Sequence, residues 1–182
     1  DSGGIMKKIV IVGGGAGGLE LATKLGNKLG KKQKAHITLV DKNRTHLWKP
    51  LLHEVAAGVI DKNSDGVDYQ IHAARFKYKF QLGSMSHIDA TKKSITLDAV
   101  YDSEGDLLIP ERHLEYDYLV LAIGSVSNDF NTPGIRANAY FLDSLAQAEK
   151  FHKALLNQLL KLNQVPDVHK TLKVSIVGGG AT

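Results

Sequence analysis

No cysteine occurs anywhere in the 182 residues, and there are only four prolines. Without a thiol the stretch holds no disulfide framework, no thiolate metal site, no cysteine nucleophile and no dithiol redox centre. The lack also fits a reducing compartment. No window approaches the roughly 18 unbroken apolar residues of a membrane span, and no charged-then-apolar leader opens the chain. Aromatic residues are sparse at 7%, and none interleave with Lys24, Lys28, Lys31, Lys32 and Lys34, which carry much of the net charge of +4. A basic cluster without aromatic partners reads as a solvated helix face and loop rather than a nucleic-acid surface. What is present is an ordinary globular balance, 43% hydrophobic and 23% charged, in a chain long enough for one good core and part of another. The opening DSGGI reads as a cloning remnant with Met6 as the native start, so residues 1–5 are set apart from the fold.

Ile9–Val12 is an unbroken β-branched run, the mark of a strand buried on both faces. Glycines follow, then a helix in which Leu19, Ala22, Leu25 and Leu29 share a face, with Gly26 and Gly30 weakening and then ending it. HITLVD is a second strand closing on Asp41. Strand, turn, helix and strand make a parallel, right-handed βαβ unit. NRTHLWKPLLHEVAAGVID is apolar but aperiodic and reads as a loop leading into a short helix around Leu51–Ala57. From Tyr78 to Leu114, FKYKFQLGSMSHI, SITLDAVY and DLLIPERHL read as strand pieces separated by DATKK and DSEGD turns, an antiparallel meander inserted before the next parallel strand. That strand is YDYLVLAIGS. Asp143 or Ser144 then caps a helix with Leu145, Ala148, Phe151, Leu155, Leu159 and Leu162 in one stripe, expected to face the domain core. NQVPDVHK reads as a linker, and Lys173–Val177 as another strand.

One phrase is written twice: KIVIVGGGAG at residues 8–17 and KVSIVGGGAT at 173–182. In the first copy Gly13, Gly15 and Gly18 match a dinucleotide fingerprint: one glycine for the tight turn, one for close approach of a pyrophosphate, one for close helix–strand packing. The helix end offers N–H donors and about half a positive charge to phosphates. Asp41, 23 residues past Gly18 at the end of the second strand, suits a ribose diol and disfavours a 2′-phosphate.

Two glycine loops bracketing a meander and an Ala-x-Gly strand end resemble the two-dinucleotide flavoproteins. DKNRTHLWKPLLHEVAAG (41–58), FQLGSMSHID (80–89), YDYLVLAIGSVSNDFNTPG (116–134) and SIVGGGAT (175–182) resemble bacterial type II NADH dehydrogenase, the single-subunit NADH:quinone oxidoreductase, over nearly all of Lys7–Thr182. The resemblance implies an α/β, Rossmann-like FAD-binding domain with a parallel sheet and an inserted antiparallel meander. It implies residues 6–165 as that domain, and 166–182 as linker and first strand of an incomplete NADH-binding domain. It carries the cofactor to Gly13, Gly15, Ala16, Gly17 and Gly18 at the pyrophosphate, and to Asp41 with Lys42 at the adenosine ribose. The backbone near Met85 would meet the adenine, Ala122 and Gly124 the pyrophosphate and ribityl chain, and Lys49, Pro50 and Leu51 the flavin ring. The common Ala-Thr-Gly is here Ala122-Ile123-Gly124, which keeps the close approach and loses a hydroxyl contact.

By the same resemblance Gly178 and Gly180 begin the NADH site, and the third fingerprint glycine would fall at position 183, past the last residue. A truncated chain explains this, one that alone would be soluble, inactive and at most an FAD-holding module. The whole protein would pass hydride from NADH to FAD and electrons on to a membrane quinone in a respiratory chain. It would sit peripherally on the cytoplasmic face of the bacterial inner membrane through a C-terminal region, without nucleic-acid partners. An NADH oxidase or ferredoxin reductase is the alternative, disfavoured by the 41–58 match; the missing cysteines disfavour a disulfide reductase. No side chain is assigned as catalytic and no metal is expected. His53-Glu54-Val55-Ala56-Ala57 lacks the second histidine of a zinc-protease motif, and the serines of GSVSN, Ser125 and Ser127, do not form a nucleophile elbow. Trp48 is read equally as a flavin neighbour or as core.

Overall fold

A computed structural model describes residues 6–15, 17–47, 60–61, 66–122, 139–142 and 144–164. In chain order the elements are β1 (Lys7–Val12), α1 (Gly18–Leu25), β2 (Ala35–Asp41), β3 (Thr45–Leu47), β4 (Ile60–Asp61), β5 (Gly66–Asp68), α2 (Tyr69–Phe76) and β6 (Lys79–Leu82). There follow β7 (Met85–Asp89), β8 (Ser94–Leu97), β9 (Val100–Tyr101), β10 (Leu107–Ile109), β11 (Arg112–Glu115), β12 (Tyr118–Leu121), β13 (Ala139–Phe141) and α3 (Leu145–Gln164).

The central sheet has five strands in the order β13-β12-β1-β2-β6, every neighbouring pair parallel. From β1 the chain builds outward to β2 and β6, then returns to lay β12 on the other side of β1. The strand order reverses between β1 and β12, and α/β sheets bind ligands outside the carboxyl ends at such a point. The β-branched run of β1 earns its central place because both of its faces are covered. Ile9 and Ile11 pack with Leu19, Leu25 and Phe151 on the helical side. Val10 and Val12 pack with Ile88, Ile95 and Leu97 of the meander on the other. The fold is therefore α/β in three layers: helices, parallel sheet, antiparallel sheet. Of the α3 stripe, Ala148, Phe151 and Leu155 are buried in the core, as expected, and Leu159 packs against it. Of its two candidate caps Ser144 does the capping: its Oγ accepts from Gln147 N–H at 3.2 Å. Asp143 lies outside the described residues.

Three local expectations need correction. The FKYKFQLGSMSHI piece is two strands in two sheets. Lys79–Leu82 pairs with β2 at the parallel edge, while Met85–Asp89 joins β8 and β11 in the antiparallel sheet. The DLLIPERHL piece is also divided, at Pro110, which has no N–H to give a ladder. The helix changes at Gly26 and ends at Gly30, as expected: α1 gives way after Leu25 to a π-helical turn, Gly26–Gly30. Those glycines serve close packing, because a Cβ at Gly26 would fall on the Phe76 carbonyl and one at Gly30 on that of Lys77. Finally, Thr45–Leu47 is a strand paired with β5, not loop. The expected helix around Leu51–Ala57, the linker and the Lys173–Val177 strand lie outside the described residues, as do Trp48, Ser125 and Ser127.

The two meander turns form as their composition suggests. Asp89 Oδ1 accepts from the N–H of Thr91 and Lys92, and Asp102 Oδ1 from those of Glu104 and Asp106, the side chains mimicking a turn of backbone. Among the described residues no helix is long and apolar enough to cross a membrane.

Candidate functional site

The glycine loop begins where β1 ends, at the carboxyl edge of the sheet. Gly13 has φ 99°, open to glycine at no steric cost, and its N–H donates to Val40 O at 2.7 Å. The turn is thereby tied to β2. Gly17 stands at the N-cap of α1 with φ 96° and no side-chain cap; a Cβ there would lie 3.0 Å from both Ala148 Cβ and Ser144 O. The loop thus rests on the start of α3. A Cβ on Gly18 would fall on the Gly13 carbonyl and come within 3.1 Å of Ala122 Cβ. Helix α1 can approach β1 and β12 this closely only without that carbon.

Gly15 is the opposite case. A Cβ built on it meets no atom of the described residues within 4 Å. Open space therefore faces the second fingerprint glycine, at the end of the helix where the macrodipole favours an anion.

Asp41 closes β2 beside this loop. Its Oδ2 accepts from the N–H of Gly14 at 3.3 Å and from the hydroxyl of Tyr69 at 2.8 Å. Tyr69 is fully buried, its ring stacked on Phe80 with centroids 4.8 Å apart. Burial first, then the Asp41 charge, hold its phenol far above the ordinary range, so it stays a donor. Ala122 is buried at the end of β12, its N–H bonded to Val12 O at 2.8 Å. Beyond Asp41, Gly83 N–H donates to the Asp41 carbonyl at 2.9 Å, which sets the corner leading to Met85 against the end of β2. Arg112 braces that corner: Nε donates to Gln81 Oε1 at 3.2 Å and an Nη to the Leu82 carbonyl.

Gly13, Gly15, Gly17, Gly18, Asp41 and Ala122 therefore converge at the carboxyl edge of β1, β2 and β12. Met85 follows the next strand over, half-buried, and Lys42 is exposed beside Asp41. Ala16, Lys49, Pro50, Leu51, Gly124, Gly178 and Gly180 lie outside the described residues. Tyr69 was not among the residues expected at the site. Its signal was there to read: Asp68 as a cap, then Tyr69, His72, Ala73 and Phe76 at helical spacing.

Residues 7–182 match the family model for pyridine nucleotide-disulphide oxidoreductases. The chain is 49% identical, over 97% of its length, to the type II NADH:quinone oxidoreductase of Haemophilus influenzae, of which it covers 43%. It is 30% identical, over 96% of its length, to the enzyme of the same name from Staphylococcus epidermidis, covering 40% of it. Among solved structures, NDH2 from Plasmodium falciparum in complex with NADH shares 25% identity at a TM-score of 0.45, with 89% of this chain and 31% of that one covered. The chain thus spans about two fifths of the length of these curated relatives.

Proposed function

The chain belongs to the pyridine nucleotide-disulphide oxidoreductase family, and we propose that it forms the FAD-binding portion of an NADH:quinone oxidoreductase. The observation that carries this reading is the 49% identity across 97% of the chain with the Haemophilus influenzae enzyme. A fold alone would not suffice, since one scaffold hosts many chemistries.

The residues fit the cofactor. The space over Gly15 would admit a pyrophosphate, and Gly13, Gly17 and Gly18 shape the turn that would cradle it; the family resemblance assigns Ala16 to the same cradle. The Asp41 carboxylate would accept hydrogen bonds from the adenosine ribose, with Lys42 beside it. Met85 backbone would border the adenine; Ala122 and Gly124 would face the pyrophosphate and ribityl chain, and Lys49, Pro50 and Leu51 the ring. When bound, FAD supplies the hydride acceptor for NADH and the electron donor for the quinone. The chain's own residues bind and orient; none is assigned a proton transfer. Residues 6–165 form the FAD unit in this reading, and 166–182 open an NADH unit with Gly178 and Gly180 as its first glycines. Attachment to the cytoplasmic face of a bacterial membrane would come from sequence outside these 182 residues.

The test is a polypeptide of the relatives' full length, purified and assayed with NADH and a soluble quinone. A yellow protein whose NADH oxidation depends on the quinone is the expected result. A colourless protein, or one that oxidises NADH equally well with oxygen or ferredoxin alone, would refute the proposal.

A further inference from the structure

We propose that Tyr69 is a positioning residue for the nucleotide ribose: by donating its hydroxyl proton to Asp41 Oδ2 it fixes which carboxylate oxygen faces the ligand. The inference rests on the FAD reading above. The geometry has three parts.

First, both oxygen-directed donors converge on one atom. Gly14 N–H and the Tyr69 hydroxyl reach Asp41 Oδ2 at 3.3 and 2.8 Å, and no hydrogen bond from a described residue reaches Oδ1. A carboxylate terminus ordinarily turns through a broad, two-fold torsion. Two donors on one oxygen remove that freedom before a ligand arrives, and an acceptor ordered in advance binds without the ordering cost.

Second, the donor is itself immobile. The Tyr69 ring is fully buried and stacked on Phe80, and its backbone N–H is bonded to Arg44 O at 3.1 Å. As the first residue of α2, directly after the Asp68 cap, it cannot swing away from the carboxylate without uncoiling the helix start.

Third, the glycine loop is built around this hydroxyl. Position 14 is a variable position of the fingerprint, where any side chain would serve the phosphate equally well. Here a Cβ at Gly14 would fall on the Tyr69 hydroxyl and lie 2.8 Å from Asp41 Oδ2. The tyrosine, not the phosphate, requires glycine at 14.

The experiment is a double-mutant cycle on the full-length protein, stripped of flavin and titrated with FAD by fluorescence, with melting of each flavin-free form alongside. Tyr69→Phe keeps the ring and its stacking and removes only the hydroxyl. It is expected to weaken FAD binding about 5- to 10-fold while leaving the flavin-free protein folded. In an Asp41→Ala background the same change is expected to do nothing to FAD affinity. A purely structural tyrosine would lower affinity equally in both backgrounds, and that result overturns the proposal. So does a Tyr69→Phe protein that no longer folds, which would assign the hydroxyl to the scaffold. If the unmutated protein takes up no FAD, the FAD reading fails and this inference with it. If it binds FAD, and Asp41→Ala weakens binding but Tyr69→Phe does not, only the role of Tyr69 is lost.

Discussion

Gly15 and Gly18 are three residues apart in one fingerprint, yet removing their freedom has different costs. Around Gly15 the described residues leave open space. A valine there disturbs little of the protein's own packing, and stability should move by no more than ~0.5 kcal/mol, as at other exposed sites. It would, however, occupy the volume reserved for the pyrophosphate. Gly15→Val is expected to melt like the unmutated flavin-free protein and to carry no flavin absorbance. Gly18→Ala is expected to do the reverse first. Its methyl meets the Gly13 carbonyl and Ala122, an overpacking that costs about 1–3 kcal/mol, seen as a lowered denaturation midpoint before any ligand is added. If both variants lose stability equally, the space over Gly15 is not what the geometry says. Spacing alone identifies these two glycines as members of one motif; only coordinates show that one serves a ligand and the other a helix contact. Gly14 was beyond reach of spacing altogether, because its constraint comes from a tyrosine 55 positions along the chain.

At the level of elements, periodicity identified β1, α1, β2, β12 and the α3 stripe because each buries one continuous face or both. It failed where an apolar run continues across a change of sheet. In FKYKFQLGSMSHI nothing local distinguishes Phe80, which packs against the helices, from Ile88, which packs on the opposite face of the sheet. That division is decided by long-range partners: Asp41, whose carbonyl accepts from Gly83 N–H, and Arg112, which holds the Leu82 carbonyl. The glycine pair at 26 and 30 answers to distant partners as well. By propensity alone, Gly26→Ala should stabilise a helix by up to about 1 kcal/mol. The Phe76 carbonyl occupies the place of the added methyl, and overpacking of about 1–3 kcal/mol outweighs that gain. Gly26→Ala is therefore expected to be destabilising in urea unfolding, and a raised midpoint would show that the α1–α2 contact yields at little cost.

For the molecule as a whole, the plan was legible: two apolar β-branched strands around a glycine turn, a meander, and a return strand force a parallel sheet with different covers on its faces. How the helices pack on one another was not, because those contacts lie between residues distant in sequence. The α1–α3 junction shows this and carries a pH dependence. His152 of α3 faces Lys24 and Lys28, and burial first, then these two charges, lower its pKa below the ordinary value; Lys24 is meanwhile paired with Glu149. His152 Nε2 is buried without a hydrogen-bond partner among the described residues, so a proton gained there has no acceptor to satisfy it. The unfolded chain binds that proton near pH 6.5, the folded chain only at lower pH. Stability is therefore unaffected above the unfolded value and declines as pH falls below it, levelling off once the folded form is also protonated. Melting temperature measured downward from pH 7 is expected to fall through this window, and His152→Gln to flatten that part of the profile while leaving the carboxylate-driven loss at more acid pH in place. An unchanged slope in His152→Gln would mean that the junction accommodates the charged imidazole and that the acid sensitivity arises elsewhere.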